Sequence, residues 1–227
     1  MIIENGIYNV YKPYGWTSFD VVNKLRRISG IKKIGHAGTL DPMAEGVLVV
    51  AVGRENTKQI DNIMVSSKKY LASIMLGIET DTYDLEGRII EMKSPENLKV
   101  EEIRNTALEF RGKIMQTPPI YSALKVKGKK LYEYARKGQT VEIAPREVEI
   151  KDLQVLAIEM GRYPILKLSI EVSKGTYVRS LAYDIGKRLG VSGVLCKLVR
   201  SFVGDYCIED SIRIEEFQKA EGVGDIK

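Results

Sequence analysis

The sequence predicts an α+β fold with one central sheet and flanking helices. Apolar or alternating runs typical of strands are separated by irregular intervals, and only some intervals carry the helical periodicity of about 3.6 residues. Strands and helices therefore do not alternate strictly, which argues against a doubly wound sheet. Neither GxGxxG after a strand nor GxxxxGK[ST] occurs, so dinucleotide, S-adenosylmethionine and P-loop sites are unsupported.

The first predicted helix begins with a capping signal and ends at a glycine. Thr17 or Ser18 can cap its N-terminus while Asp20 reaches back, and Gly30 stops the helix. The apolar residues at helical spacing are Val21, Val22, Leu25 and Ile28. The opposite face ends in basic residues, namely Lys24, Arg26 and Arg27.

Further strands and helices are predicted along the rest of the chain. The predicted strands are 47–52, 69–76, 88–92, 165–172 and about 194–203. Alternation in the second of these places every other residue on one side: Tyr70, Ala72, Ile74 and Leu76. Helices are predicted over 100–110, closed by Gly112, and after Gly175, with Leu181, Ile185 and Leu189 on one face. Roughly the last fifteen residues are charged and weakly patterned.

Composition limits the class of protein. With 227 residues, 44% of them hydrophobic, the chain can bury a sizeable core as one large or two small domains. No run approaches the roughly 18 apolar residues of a membrane span, and the N-terminus lacks a secretion signal, so we expect a cytoplasmic protein without a membrane partner. The single histidine and two cysteines, Cys196 and Cys207, form no zinc pattern, so no metal is expected.

Residues 35–53, GHAGTLDPMAEGVLVVAVG, gather reactive side chains and turn-forming residues. The only histidine, His36, lies five residues before Asp41, and glycines together with Pro42 interrupt regular structure there. An apolar run follows at once, so we expect both side chains on a shaped loop at the edge of a buried sheet. Such a loop is typical of a catalytic or binding site.

Asp41 is the candidate nucleophile. A carboxylate can act as a nucleophile while it is ionised, but burial alone would favour its neutral form. A nearby guanidinium lowers the pKa of the carboxyl and orients it, and Arg179, at a turn-to-helix junction beside Tyr177, is the best candidate. The residues alone leave simpler interpretations open, in which Asp41 caps a turn and His36 is a hydrogen-bonded loop residue.

Positive charge is concentrated in one segment. The chain carries a net charge of +5, whereas residues 113–146 contain eight basic and two acidic residues, a net +6. Tyr121, Tyr132 and Tyr134 lie among these cations, an arrangement suited to the phosphates and unpaired bases of single-stranded or looped RNA. A solvated basic surface is the alternative interpretation.

Five blocks of the chain resemble, in the same order, the motifs of the TruB family of pseudouridine synthases. They are KPYGWTSFDVVNKLRR, the 35–53 segment, KKYLASIMLGIETDTYDLEG, QTPPIYSALKVKGKKLYEYARKG and KGTYVRSLAYDIG. Blocks in order over roughly 190 residues are a specific signal. The resemblance implies a pseudouridine synthase fold, with a mixed, largely antiparallel central sheet flanked by helices and loops and an RNA-gripping insertion at about 113–146.

The resemblance also implies an activity, the isomerisation of uridine at position 55 in the T-loop of tRNA without a cofactor. Asp41 would be the catalytic aspartate, attacking C1′ of the ribose or C6 of the uracil, and Arg179 would pair with it. Tyr70 would stack under the flipped-out base and take part in proton removal from C5. Asp84 matches an acidic position near the family site, but no firm role follows for it.

Substrate contacts are implied for a wider set of residues. His36 would occupy the space that the flipped-out uridine leaves, and Tyr177 and Leu198 would line the base pocket. The implied substrate-binding residues are His36, Tyr177, Leu198, Lys12, Lys125, Lys129 and Lys130. The family's Leu-Arg-Arg appears here as Lys197-Leu198-Val199-Arg200, so one basic contact is expected to be shifted or lost.

The expected partner is tRNA, whose T-stem and T-loop would be gripped by the basic insertion together with the basic end of the first helix. We expect one catalytic domain over residues 1–227 without a C-terminal PUA domain, no obligatory protein partner and a monomer. The alternatives are a relative that acts on another uridine or is directed by a guide RNA and protein partners, and a non-enzymatic RNA-binding module. The presence of the aspartate, tyrosine and arginine argues against the non-enzymatic module.

Overall fold

The structure, a computed structural model, describes residues 1–218. The chain divides into two units, the first comprising Met1–Tyr70 with Leu198–Lys227 and the second Leu71–Lys197. Both boundaries fall inside strands, namely β4 (Lys68–Leu76) and β12 (Gly193–Val203). Within residues 1–218, none of the helices is both long enough and apolar enough to cross a bilayer.

The first unit is built around a helix with well-formed ends. Thr17 caps α1 through a reciprocal capping box with Asp20, and Gly30 ends the helix with a left-handed φ of 73°. The unit includes the first residues of β4 and the last residues of β12. Its other elements are β1 (Gly6–Lys12), α1 (Ser18–Ser29), β2 (Ile34–His36), β3 (Ala44–Val52), α2 (Arg54–Thr57), α3 (Ile60–Met64) and β13 (Tyr206–Cys207). Two 3-10 turns follow, at Ile208–Asp210 and Ile214–Glu216.

Strand β3 is central to the sheet of the first unit and apolar on both faces. It pairs antiparallel with β1 and β2 and parallel with β12. Leu48 and Val50 join the core that α1 covers, whereas Val47 and Val49 belong to a second cluster. A strand buried on both faces has to be apolar throughout, so the predicted apolar strand is confirmed, with an earlier start at Ala44.

The second unit contains a sheet of five strands. Its strands lie in the order β12, β4, β11, β10, β7, and β10 pairs antiparallel with both neighbours. The elements are β5 (Ile78–Thr80), β6 (Ile89–Met92), α4 (Val100–Leu108), β7 (Gly112–Gln116), β8 (Lys125–Val126), β9 (Lys129–Lys130), α5 (Leu131–Arg136), β10 (Arg146–Glu159), β11 (Ile165–Val172) and α6 (Val178–Arg188). The pairs β5–β6 and β8–β9 form separate hairpins, and α4 packs against β10 and α6.

The predicted α+β class and the mixed, largely antiparallel sheet are confirmed. Several strands were not predicted, and the two longest of them are β1 and β10, whose apolar pattern is interrupted by polar residues such as Asn9. The helix predicted over 100–110 ends at Leu108, and Gly112, expected to close it, begins β7 instead. The charged segment predicted near the C-terminus lies partly outside the described residues.

Candidate active site

Asp41 lies half-buried on the connection between β2 and β3, which we call the Asp41 loop (residues 37–43). At its start, the Ala37 N–H donates to the carbonyl of Val49 at 2.8 Å. At its end, the Ala44 N–H donates to the carbonyl of Asp41 itself at 3.0 Å. Both ends of the loop are therefore tied to β3, the best-buried strand of the first unit.

Ser18, the first residue of α1, fastens the middle of the Asp41 loop to the helix. Its Oγ accepts from the Leu40 N–H at 2.9 Å and donates to the Leu40 carbonyl at 3.2 Å. Ser18 is buried, so both backbone groups of Leu40 depend on this hydroxyl. The neighbouring hydroxyl, that of Thr17, caps the helix instead.

Lys12, the last residue of β1, is fully buried beneath the same loop. Its Nζ donates to the carbonyl of Pro42 at 3.3 Å, to that of Pro13 at 2.8 Å and to that of Trp16. A buried ammonium requires such acceptors, because desolvation otherwise favours its neutral form. These bonds join the Asp41 loop to the turn before α1, and a direct contact of Lys12 with RNA stays a prediction.

Arg200 in β12 is the second buried cation at the loop, with 1% of its surface exposed. Its Nε donates to the Val47 carbonyl at 2.7 Å and its Nη2 to the Gly38 carbonyl at 3.0 Å, while Nη1 lies 3.5 Å from the Thr39 carbonyl. This anchoring role of Arg200 was not predicted from the sequence. An arginine in a mostly apolar strand is the signal that indicates a buried, partnered cation.

Gly46 lies in register with both cations. Lys12 of β1 pairs with Gly46 on one side, and Arg200 of β12 pairs with it on the other. Gly46 has a φ of 104°, and an added Cβ would collide with the backbone oxygen of Arg200. Only glycine fits here, because larger residues disfavour this φ and the strands approach closely. Three neighbouring strands thus direct two cations to one loop.

His36 was predicted to share a loop with Asp41, but it is the last residue of strand β2 and pairs in register with Val50. Burial, and then the charge of Arg200, lower the pKa of His36 below its ordinary value, so the imidazole is neutral at pH 7. Its buried Nδ1 forms no hydrogen bond within residues 1–218. No group of three potential metal ligands occurs in that part of the chain.

Tyr70 and Leu198 both have buried side chains in the first unit. Tyr70 lies on the buried side of β4, as its alternation predicted. Leu198 pairs in register with Ala44, three residues after Asp41. The strand that carries Leu198 therefore runs beside the end of the Asp41 loop, while contacts of either side chain with a base stay predictions.

Arg179 belongs to the second unit, where it is the second residue of α6 and is buried. Nη1 donates to the Thr82 carbonyl and Nη2 to the Tyr121 carbonyl, both at 2.9 Å, and Nε lies 3.5 Å from Oδ2 of Asp84. Asp84, for which no firm role was predicted, is buried as well. These contacts fix the orientation of the guanidinium.

Tyr177 is the N-cap residue of α6 and is held by a side chain that the sequence analysis missed. Its N–H donates to Oε1 of Gln116 at 2.8 Å, and its carbonyl accepts from Nε2 of the same amide at 3.1 Å. The guanidinium of Arg146 lies 5.1 Å from the centroid of the Tyr177 ring, a cation–π distance. Buried Gln116 therefore positions the residue that precedes Arg179 by two.

The basic insertion presents four of its six lysines on a tight hairpin formed by β8 and β9. Lys127 and Gly128 at its tip both have positive φ, 49° and 82°, as a type I′ turn requires. The lysines predicted to bind RNA are Lys125, Lys129 and Lys130. The first two are exposed, whereas Nζ of Lys130 lies 5.4 Å from the centroid of the Tyr132 ring.

Known proteins resemble most of this chain. A family described as TruB family pseudouridylate synthase (N terminal domain) matches residues 26–178. The tRNA pseudouridine synthase B of Clostridium tetani is 46% identical over 215 residues, which cover 95% of this chain and 73% of that protein. The protein of the same name from Caldanaerobacter subterraneus is 47% identical over 217 residues, covering 96% and 75%.

A solved structure agrees with this relationship. A chain in the crystal structure of a Cbf5-Nop10-Gar1 complex is 29% identical, with a TM-score of 0.72, and the match covers 93% of this chain and 53% of that one. This chain thus spans about half the length of that relative. Because the family match extends over most of the sequence, and relatives nearly half identical match almost all of it, the chain belongs to the TruB family of pseudouridylate synthases and is an isomerase.

Proposed function

We propose that this enzyme isomerises uridine 55 in the T-loop of tRNA by flipping the base out of its stack and using Asp41 as the catalytic carboxylate. The observation that carries the proposal is the Asp41 loop, whose backbone is held by Lys12, Ser18 and Arg200. A fixed backbone suits catalysis, because a displacement of about 1 Å can cost about a hundredfold in rate. Relatives named tRNA pseudouridine synthase B support tRNA as the substrate class.

The reaction needs only side-chain chemistry. The N1–C1′ bond of the uridine breaks, the uracil rotates, and a C5–C1′ bond forms. C5 loses a proton and N1 gains one, so no oxidant or reductant is consumed. Asp41 attacks C1′ of the ribose or C6 of the uracil, and either attack requires the ionised carboxylate. The half-buried position of Asp41 is compatible with a partly desolvated nucleophile.

Arg179 is proposed to keep Asp41 ionised by pairing with it. A guanidinium beside a carboxylate lowers the pKa of the acid and orients its oxygens. The proposal is supported by the fixed orientation of Arg179, whose Nη atoms bind two carbonyls and whose Nε faces Asp84. Tyr177, held by Gln116, is proposed to line the same pocket.

Three buried or half-buried side chains are proposed to receive the base and its surroundings: Tyr70, Leu198 and His36. Flipping costs roughly a few kcal/mol, and stacking on an aromatic ring returns about 1–3 kcal/mol. Tyr70 would provide that stacking and take part in removing the C5 proton, while Leu198 packs near the base. The neutral imidazole of His36 suits a role in filling the space left by the uridine.

RNA binding is proposed for the basic insertion, whose lysines would contact phosphates of the T-stem and T-loop. Support comes from the exposure of Lys125 and Lys129 on a tight hairpin. We further propose that the enzyme acts as a monomer, without an obligatory protein partner, in the cytoplasm. Light scattering on the purified chain tests the monomer directly.

The decisive experiment maps pseudouridine in an unmodified tRNA transcript after incubation with the purified chain, by carbodiimide treatment and primer extension. We expect one stop, in the T-loop, and its loss with Asp41→Asn. Asp61→Asn, which changes an exposed aspartate of the same unit, is the matched control and should retain full activity. Product from Asp41→Asn would exclude the assigned carboxylate, and a stop elsewhere would exclude the assigned uridine.

Two further measurements separate the remaining roles. Tyr70→Phe should retain RNA binding and lose turnover if the hydroxyl takes part in proton removal. The same mapping on total RNA, with the chain alone, tests the alternative of guided modification. Modification that required added protein or guide RNA would favour a guide-directed enzyme.

A further inference from the structure

The basic insertion leaves the sheet of the second unit and returns to it at one residue pair. Gln116 ends β7, Arg146 begins β10, and the two residues pair in register. Gln116 has 1% of its surface exposed, and Arg146 is half-buried. Polar groups in such positions need partners, because they lose contact with water. Both side chains find partners in the segment that begins α6.

Tyr177, the N-cap residue of α6, is bound by both members of this pair. The amide of Gln116 bonds to its N–H and to its carbonyl, and the guanidinium of Arg146 lies beside its ring. Nη2 of Arg146 also donates to the carbonyl of Gly175. Within residues 1–218, the side chain of Tyr177 forms no capping hydrogen bond with the helix. The start of α6 is therefore held by the insertion and not by a cap of its own.

Two further hydrogen bonds join the first turn of α6 to the insertion. Oγ of Ser180, which is 1% exposed, donates to the Thr117 carbonyl at 2.8 Å. The Tyr121 carbonyl accepts from Nη2 of Arg179 at 2.9 Å. Three of the four residues 177–180 thus bind groups of the insertion. The insertion cannot shift at its base without changing the surroundings of these residues.

Burial separates the base of the insertion from the lysines that are proposed to bind RNA. Lys125 and Lys129 are exposed, whereas Gln116 is uncharged and almost fully buried. Such an amide has no charge to offer a phosphate and almost no surface to offer a base. An effect of Gln116 on the reaction would therefore have to pass through the residues that it holds.

We propose that Gln116 and Arg146 are positioning residues, which act on turnover by orienting Tyr177 and Arg179. The insertion then has two separate functions, because its exposed lysines bind RNA while its base orients the start of α6. The inference rests on the proposed function in one respect, that Tyr177 and Arg179 serve the reaction. A displacement of about 1 Å can cost about a hundredfold in rate, so the loss of either positioning residue should lower kcat and leave KM largely unchanged.

Gln116→Met tests the amide, because it removes both bonds to Tyr177 at similar side-chain volume. We expect kcat on a T-stem-loop RNA to fall by about tenfold or more, while KM changes by less than about twofold. The salt dependence of RNA binding should be unchanged, since no charge is lost. Gln154→Met makes the same substitution at an exposed position of β10 and should retain full kcat. A kcat for Gln116→Met equal to that of Gln154→Met would overturn the proposal.

Arg146 offers a second test, which stands even if Gln116→Met does not fold. Arg146→Met removes the donor to the Gly175 carbonyl and the cation beside the Tyr177 ring, whereas Arg146→Lys keeps a cation and a donor. We expect kcat to fall in Arg146→Met and to be partly restored in Arg146→Lys. A salt slope reduced by about 1 in Arg146→Met, with kcat retained, would show that Arg146 binds a phosphate and would overturn its positioning role.

Product formation by the original chain separates this inference from the proposed function. If the original chain, Gln116→Met and Arg146→Met all form pseudouridine in the T-loop at the same kcat, the positioning proposal fails and the proposed function stands. If the original chain modifies a uridine elsewhere, the proposed function fails. The variants are then compared on that uridine, and a selective fall in their kcat still supports the positioning role.

Discussion

The Asp41 loop and the basic insertion use the same residue types in opposite ways. At the loop, Lys12 and Arg200 are fully buried and their charged groups bind backbone carbonyls. In the insertion, Lys125 and Lys129 are exposed on the two strands of a hairpin. A buried cation is held by its acceptors and fixes the backbone around it, whereas an exposed cation adds charge and little rigidity.

The difference matches the function that is proposed for each region. A catalytic carboxylate needs a position fixed to a fraction of an ångström, and hydrogen bonds to buried groups provide this. An RNA-binding surface needs charge and freedom to adapt to a flexible strand. Counting basic residues therefore indicates RNA binding only after the buried ones have been removed from the count.

Replacing Arg200 should produce the largest effect. Arg200→Met leaves the carbonyls of Gly38 and Val47 without their donor, which we expect to cost about 3 kcal/mol of unfolding free energy. Urea unfolding measures the loss as a lower midpoint at unchanged m value. Turnover should also fall at a temperature where the variant is folded, because the Asp41 loop loses an anchor.

Arg200→Lys keeps the charge but offers a single nitrogen as hydrogen-bond donor. This variant tests the same anchor if Arg200→Met does not fold. We expect intermediate stability and a fall in kcat larger than any change in KM, since the anchor acts on the position of Asp41, the proposed catalytic carboxylate. If Arg200→Met and Arg200→Lys both retain full stability and full kcat, the buried cation does not fix the Asp41 loop. The loop and the insertion would then not differ in how they use their cations.

The adjacent hydroxyls of Ser18 and Thr17 form a matched pair, because one bonds to the Asp41 loop and the other caps α1. Ser18→Ala leaves the buried Leu40 N–H without an acceptor and should cost about 1–3 kcal/mol, together with a clear fall in kcat. Thr17→Ala removes the helix cap and should cost about 1 kcal/mol while kcat is retained. Parallel losses of kcat in the two variants would show that α1 as a whole, and not the Leu40 bonds, supports the loop.

Much of the fold was predictable from the sequence, because local signals determine it. The capping box of Thr17 and the terminal Gly30 gave the limits of α1, and the alternation around Tyr70 gave the buried side of β4. These elements need only neighbours in the chain to be recognised. The apolar residues of β3 likewise indicated a strand buried on both faces.

The anchors of the site were not predictable in the same way, because their partners are distant in the chain. Arg200 bonds to residues more than 150 positions earlier, and Gln116 holds Tyr177 across 61 positions. A sequence shows that such a polar residue lies in an apolar stretch, but not which carbonyl it meets. The assignment of Asp41 likewise came from the family motifs, since spacing alone left a turn cap equally open.

His36 reports on the loop through its pKa. Burial first, and then the charge of Arg200, lower that pKa in the folded state below the unfolded value of about 6.5. As the pH falls toward the unfolded pKa of about 6.5 and below it, His36 binds a proton more readily in the unfolded chain than in the folded one. The free energy of unfolding should therefore decrease as the pH falls from about 7. NMR titration of the single imidazole of an untagged chain should give a low pKa that rises in Arg200→Met.

Asp184 has the opposite effect on the pH dependence of stability, so its contribution has to be separated from that of His36. Burial raises the pKa of Asp184 to about 6, above its unfolded value, so its ionisation lowers stability as pH rises through the range from about 4 to 6. Asp184→Asn should therefore stabilise the protein at pH 7 and leave it unchanged at pH 4. In the Asp184→Asn variant, the decrease in the free energy of unfolding that is due to His36 is no longer opposed by Asp184. His36→Gln should abolish this decrease.

The smallest effect on stability is expected in the insertion. Lys125→Gln and Lys129→Gln change exposed side chains, so the free energy of unfolding should stay within about 0.5 kcal/mol of the original value. RNA binding should weaken, with KM raised at constant kcat and the salt slope reduced by about 1 for each lost phosphate contact. A fall in kcat at saturating RNA would show that the hairpin also positions the uridine, and the contrast between a rigid loop and an adaptable grip would then not hold.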